Sequence, residues 1–210
     1  MRVIRRFTAD IDPSAVPESG LVALPFALTA LRALLAPAMV SLAVVWPSHP
    51  AFGACLVAAF LSDVFDGVIA RRLGIATANL RRFDSIADTL FYAGASFAAW
   101  HLEPQALLDH RTALVLLVLL EISRYAFDLI KFKREASYHM WSSKLWGLAL
   151  FVGFFSLLAL GRSGWAVTAA IWLGLVADIE GLAISAVLTR WTNDVPSIAH
   201  AIRLRKAVQT

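Results

Sequence analysis

The sequence predicts an all-α integral membrane protein of six transmembrane helices with both termini in the cytoplasm. Composition is the first observation behind that expectation. Of 210 residues, 59% are hydrophobic and 16% charged, and mean hydropathy is +0.69, far from the balance of a soluble domain. The second observation is a set of six apolar runs, at about residues 21–46, 50–70, 84–102, 111–130, 144–160 and 165–189. At about 1.5 Å per helical residue, each crosses or nearly crosses a hydrocarbon core of about 30 Å, and none shows the period-2 alternation of a barrel strand. The third is lopsided basic charge. Arg2, Arg5 and Arg6 precede the first run, Arg71, Arg72, Arg81 and Arg82 separate the second from the third, Lys131, Lys133 and Arg134 follow the fourth, and Arg190, Arg203, Arg205 and Lys206 follow the sixth. The opposite loops hold only Arg111 and Arg162, so the rich side is assigned to the cytoplasm.

Taken in order, residues 1–20 form an N-terminal cytoplasmic or interfacial segment and residues 21–210 one membrane domain with a short cytoplasmic tail. The opening MRVIRRF suits a membrane surface, although Pro13 and Pro17 limit any helix there. The polar residues that follow, including Asp10, Asp12 and Glu18, and the length of the first run do not read as a cleaved signal peptide. Arg32 lies inside the first run and is expected to pair with Glu121 or Asp178. The second and third runs are separated by a charged stretch beginning at Asp63. The fourth carries Glu121, Arg124 and Asp128 at spacings of three and four, which on a helix makes an ion-pair ladder. The fifth opens on SYHMWSSKLWG, where Lys144 can snorkel to the interface and His139 sits at headgroup level. The sixth holds Asp178 and Glu180 on different sides, at least one of them expected against a buried base.

Several chemistries drop out on composition. The single cysteine, Cys55, falls in an apolar run and cannot form an internal disulfide. His49, His101, His110 and His200 show no metal-ligand spacing. The net charge of +4 is a basic cytoplasmic rim suited to anionic headgroups or phosphorylated substrates, with no motif for nucleic acid. A secondary transporter would show repeated halves or broken helices, and neither is present.

The stretch DVFDGVIARRLGIATANLRRFDSIAD, starting at Asp63, asks for a function. On a helix turning about 100° per residue, Asp63, Asp66, Gly67, Ala70 and Arg71 fall within an arc of about 140°. Asp84 and Asp88, four apart, stack on one face of the next helix. A linker of about a dozen residues lets the two faces meet, and the four carboxylates then repel one another unless cations sit among them. An all-oxygen donor set of this kind selects hard divalent ions, Mg²⁺ or Mn²⁺, which work alongside substrate phosphates. Two such ions about 3.5 to 4 Å apart stabilise charge on a diphosphate. Gly67 and Ala70 leave room for a ligand, and Arg71 offers a phosphate fork. The competing reading, aspartates paired with arginines at a solvated helix end, leaves the small residues on their face unexplained.

The spacing D-x2-D-G-x2-A-R-x8-x-x3-D-x3-D, from Asp63 to Asp88, resembles the signature of the CDP-alcohol phosphatidyltransferase family. It departs from that pattern at Leu80, where the family has a second glycine. The segment LPFALTALRALLAP resembles the family's first helix, with Phe26 where an asparagine is common, and the six-helix count agrees. Within that family the chain resembles phosphatidylglycerophosphate and phosphatidylinositol-phosphate synthases.

The resemblance implies that Asp63, Asp66 and Asp84 hold one metal, that Asp63, Asp84 and Asp88 hold a second, and that Asp88 is also the general base. It places Gly67, Ala70, Arg71, Thr77 and Thr29 at the CDP-linked donor. The implied reaction transfers a phosphatidyl group from CDP-diacylglycerol to the hydroxyl of a polar alcohol and releases CMP. Ser62, Ser85 and Thr89 lie near the cluster, but no histidine is close in sequence to activate them, so direct displacement is expected. Arg124 and Lys144, if turned toward the aspartates, would bind a phosphorylated acceptor, glycerol 3-phosphate first; inositol phosphate, serine and choline are the alternatives. By analogy the protein is expected to be a homodimer in a bacterial inner membrane with its active site at the cytoplasmic face. A family member that binds lipid without turnover is the alternative that Leu80 keeps open.

Overall fold

The computed structural model describes residues 19–75, 77–134 and 138–209, and every regular element in them is helical. The segment 1–20, with Arg2, Arg5 and Arg6, lies outside the described residues except for its last two. Six long helices match the six apolar runs: α1 Ser19–Val45, α2 His49–Arg72, α3 Ala78–Leu102, α5 Arg111–Phe132, α6 Trp141–Phe154 and α7 Trp165–Val187. Two shorter ones, α4 Pro104–Leu108 and α8 Ile198–Gln209, were not anticipated.

Four helical stretches among the described residues are long and apolar enough to cross a membrane: 23–45, 49–72, 141–159 and 165–187. These make the chain an integral membrane protein in composition and architecture. Helices α3 and α5 have the length but less apolar content. The reason is chemical: α3 carries Asp84, Asp88 and His101, and α5 carries Glu121, Arg124 and Asp128.

The helix boundaries follow from local sequence. The α2 helix has a proline in its first turn, where the missing N–H costs nothing. It stops at Gly74, whose φ of +68° is the left-handed conformation glycine adopts without penalty. There the Gly74 and Ile75 amides donate to the carbonyls of Arg71 and Ala70, at 3.3 and 3.0 Å, closing a Schellman turn. Thr77 then caps α3, its hydroxyl accepting from the Leu80 amide at 3.2 Å. The connection is therefore much shorter than the dozen residues expected, because the polar run ANLRR is already helical. At the far end, α6 passes into a π-helical turn over Phe155–Ala159, against which the His49 ring nitrogen Nδ1 lies 2.7 Å from the Leu158 carbonyl oxygen.

Packing divides the helices into two groups. Helix α1 lies along α2 and α3, α7 lies along α5 and α6, and the π-helical turn joins the groups by packing on α2. Small residues set the distances, as lipid-embedded packing requires. A Cβ added to Gly94 would sit 2.7 Å from the Ala36 carbonyl oxygen, so α1 and α3 cross with almost no gap. The buried cluster contains Met39, Ala43, Phe52, Leu56, Phe91 and Ala95. Large apolar side chains such as Leu34, Val45, Val115, Ile122 and Trp172 face outward, as expected of a surface solvated by lipid.

Candidate active site

The stripes that pack these helices run directly into polar residues at one end of the bundle. On α1, Arg32 precedes Ala36, Met39 and Ala43 at helical spacing, and all four are buried. On α2, the buried face runs Phe52, Leu56, Ala59, Ser62, Asp66, Ala70. On α3, Asp84 and Asp88 lead into Phe91 and Ala95 on the same face. Close crossing of the apolar parts therefore forces the polar ends together.

At their meeting point is Arg32, only 1% exposed. Its Nη1 contacts Asp63 Oδ1 at 3.2 Å and Asp84 Oδ1 at 2.8 Å, and donates to Asp88 Oδ1. Its Nη2 donates to Asp66 Oδ2 at 2.5 Å, and its Nε to Ser62 Oγ at 3.4 Å. Arg32 was expected to pair with Glu121 or Asp178; it joins the four aspartates instead. The signal was its place in register with Ala36, Met39 and Ala43, which turns it toward α2 and α3. Thr29, one turn earlier and also buried, places its hydroxyl within donating distance of Asp66 Oδ2 at 3.3 Å and of the Pro25 carbonyl at 3.0 Å, its single proton being shared between them. Asp66 is thus enclosed, its side chain 6% exposed, while those of Asp63, Asp84 and Asp88 are 49%, 34% and 37% exposed.

The other expected donor residues fall near the cluster in different ways. Gly67 leaves space that the Arg71 guanidinium partly covers, its Nη1 lying 3.3 Å from where a Cβ would be. Ala70 is buried, Arg71 is exposed, and Thr77 is committed to capping α3. Leu80 is 5% exposed. Two of the three hydroxyls near the cluster are occupied by their own helices: Ser62 donates to the Ala59 carbonyl at 2.7 Å and Thr89 to the Ser85 carbonyl at 2.9 Å.

A cavity of about 440 Å³ opens beside the cluster between α2, α3 and α6. Arg32, Asp63, Asp88, Ser143 and Lys144 provide polar groups to its wall, and Phe60, Tyr92 and Phe151 are among its aromatic ones. Lys144 thus reaches the aspartate side, with its Nζ also 4.7 Å from the Trp141 ring centroid. Arg124 is not among the residues lining the cavity. It pairs with Glu121 at 2.6 Å and with Asp178 at 3.2 Å, against Gly181, where an added Cβ would meet its Cδ at 2.8 Å. A base does stand opposite Asp178 as expected, but it is only partly buried, its side chain 22% exposed, and it ties α5 to α7. Nearby, Tyr138 Oη and Ser185 Oγ share a 2.8 Å hydrogen bond, and burial pushes the Tyr138 phenol above its ordinary range. Glu180 accepts from the Ile198 amide at 3.3 Å, at the start of α8, and His139 pairs with Asp194 at 2.9 Å.

The donor chemistry suits a hard divalent cation. Carboxylate oxygens of Asp63, Asp66 and Asp84 all lie within 4.8 Å of one another. One guanidinium set against four carboxylates leaves a large excess of negative charge, and Arg32 engages only one oxygen of each aspartate. What remains is an open, oxygen-only, anionic site beside a cationic Lys144, an arrangement that can hold a metal and a phosphate together. No curated protein and no solved structure matches the chain. A family model does: the CDP-alcohol phosphatidyltransferase model covers residues 22–179, a span that takes in Arg32, all four aspartates and Lys144. With three quarters of its length matched, and the carboxylates gathered where that chemistry needs them, the chain belongs to the CDP-alcohol phosphatidyltransferase family.

Proposed function

We propose that this enzyme transfers the phosphatidyl group of CDP-diacylglycerol to glycerol 3-phosphate, releasing CMP, at the cytoplasmic face of a bacterial inner membrane. Membership of the family makes it a phospholipid-forming transferase; the donor lipid, the acceptor and the residue roles are our reading. The observation that carries it is the shared cavity, which Asp63 and Asp88 line together with Lys144.

Asp63, Asp66 and Asp84 would hold one divalent ion and Asp63, Asp84 and Asp88 the other, Mg²⁺ or Mn²⁺. When bound, the ions supply Lewis-acid stabilisation of the charge on the diphosphate. Asp88, more than a third exposed and on the cavity wall, takes the proton from the acceptor hydroxyl. The acceptor oxygen forms a bond to the β-phosphorus as the bond from that phosphorus to the bridging oxygen of CMP breaks. Arg71, exposed beside Gly67, steadies the donor diphosphate with charge-assisted hydrogen bonds. Gly67 and Ala70 keep that face low enough for close approach, and Thr29 and Thr77 act on the donor side by fixing Asp66 and the start of α3. With Ser62 and Thr89 bonded to their own helix carbonyls, direct displacement is favoured over a covalent intermediate.

Lys144 selects the acceptor. A cation at the cavity wall favours an alcohol that itself bears phosphate, glycerol 3-phosphate or an inositol phosphate, over serine or choline. Arg124 contributes indirectly, through the packing of α5 on α7. Six spans, cytoplasmic termini and a homodimer complete the proposal and rest on the family resemblance and the distribution of Arg and Lys. The test is a panel of acceptors supplied with CDP-diacylglycerol and the purified protein. Turnover with glycerol 3-phosphate, and a Lys144→Ala variant whose acceptor KM rises while donor KM stays level, is the expected result. Turnover with serine or choline alone would refute the acceptor assignment, and lipid binding without turnover on any acceptor would refute the reaction.

A further inference from the structure

We infer that Arg32 is the positioning residue of the carboxylate cluster, a buried counter-cation that holds one oxygen of each of the four aspartates and leaves the other oxygen of each outside its fork. This deepens the proposed function, and its cation-orienting part rests on the divalent-ion reading above.

A guanidinium that is 1% exposed inside a membrane-spanning helix is costly unless its charge and all its donors are matched. Its charge is permanent. Here the matching is unusually broad. Nη1 alone serves Asp63 on α2 and both Asp84 and Asp88 on α3, while Nη2 serves Asp66 and Nε serves Ser62 on α2. An ordinary structural ion pair needs one partner on one neighbour; this fork joins three helices at the one point where their carboxylates converge. Arg32 borders the cavity yet is almost wholly enclosed, whereas Asp63, Asp84 and Asp88 keep a third to a half of their side-chain surface open, so a cation arriving through the cavity meets carboxylates already held together by the guanidinium. A planar, multiply donating guanidinium can do this, and a lysine ammonium, a single compact charge, cannot reach all four.

Two properties therefore separate on substitution. Arg32→Lys keeps the charge but loses the fork, and Arg32→Gln loses both. With MnCl₂ titrated into detergent-purified protein by calorimetry, Arg32→Lys is expected to bind Mn²⁺ at least about tenfold more weakly than wild type, the lower range for losing an outer partner of metal ligands. In EDTA, Arg32→Gln is expected to unfold at a lower temperature than wild type. The double variant Arg32→Gln with Asp66→Asn, which removes one charge of each sign, is expected to recover part of that loss. If Arg32→Gln does not fold, the lysine variant and the double variant still decide. Equal Mn²⁺ affinity in Arg32→Lys and wild type overturns the orienting role, and an unchanged unfolding temperature for Arg32→Gln in EDTA overturns the counter-charge. Wild type that takes up no Mn²⁺ overturns the divalent-ion reading itself, a different failure from equal binding by the two proteins.

Discussion

Asp88 touches Arg32 with one oxygen and lines the cavity that holds Lys144, which places it between the metal-binding face and the acceptor. Asp88→Asn keeps shape and hydrogen-bonding capacity while removing the base, so turnover is expected to fall at least about a hundredfold with the unfolding temperature little changed. Activity close to wild type in detergent would remove Asp88 from that role. Leu80 stands where the family pattern has glycine, and it is buried in the first turn of α3. Leu80→Gly removes a packed side chain and adds helix flexibility; the second effect alone costs up to about 1 kcal/mol. A lowered unfolding midpoint with little change in donor KM is expected, whereas a large rise in donor KM would show that Leu80 shapes the donor pocket. The four aspartates were legible in the sequence because two spacings, three and four, fix their faces on a helix. The pairing of Arg32 with them was not, since its partners lie from thirty to fifty-six residues away; its register with Ala36, Met39 and Ala43 gives the face it shares but not what that face meets.

Helices α1 and α3 are held by the missing side chain of Gly94, over which the Ala36 carbonyl passes. Arg32 lies one turn from Ala36, so the crossing sets the reach of its guanidinium. Gly94→Val is expected to lower both thermal stability and Mn²⁺ affinity, measured by unfolding in detergent and by titration. Loss of stability with unchanged affinity would separate the crossing from the site. The long helices were readable from apolar runs, but their ends were not. The start of α3 was placed at residue 84 because ANLRR is polar, although Thr77 caps it. The amphipathic helix α8, with Arg203, Arg205 and Lys206, reads as a tail because its apolar side finds partners only through tertiary packing, Ala201 and Leu204 joining Tyr138, Met140, Ile184 and Val195. That Arg124 does not join Lys144 at the cavity was likewise beyond local pattern. Glu121 at three residues' spacing was visible, but Asp178 on α7 completes the pair and draws Arg124 away from the cavity.

Across the whole molecule, the α1–α3 group supplies the carboxylates and the α5–α7 group supplies Lys144 on α6, with the cavity at their junction. Chemistry at such a junction depends on a charge balance that Arg32 meets only in part, so divalent ions are expected to be required for turnover as well as bound. Asp63→Ala, which removes a ligand expected to serve both ions, is expected to abolish Mn²⁺ binding and activity together. Unchanged binding in that variant would rule out the two-ion arrangement. The most direct measurement is CMP release by purified protein supplied with CDP-diacylglycerol and glycerol 3-phosphate, first with Mn²⁺ or Mg²⁺, then after EDTA, then with the ion restored. Release that needs lipid donor, acceptor and ion together, stops in EDTA and returns on re-addition is the expected result. CMP release that continues undiminished in EDTA, or none under any of these conditions, would contradict a metal-dependent phosphatidyl transfer at the aspartate cluster.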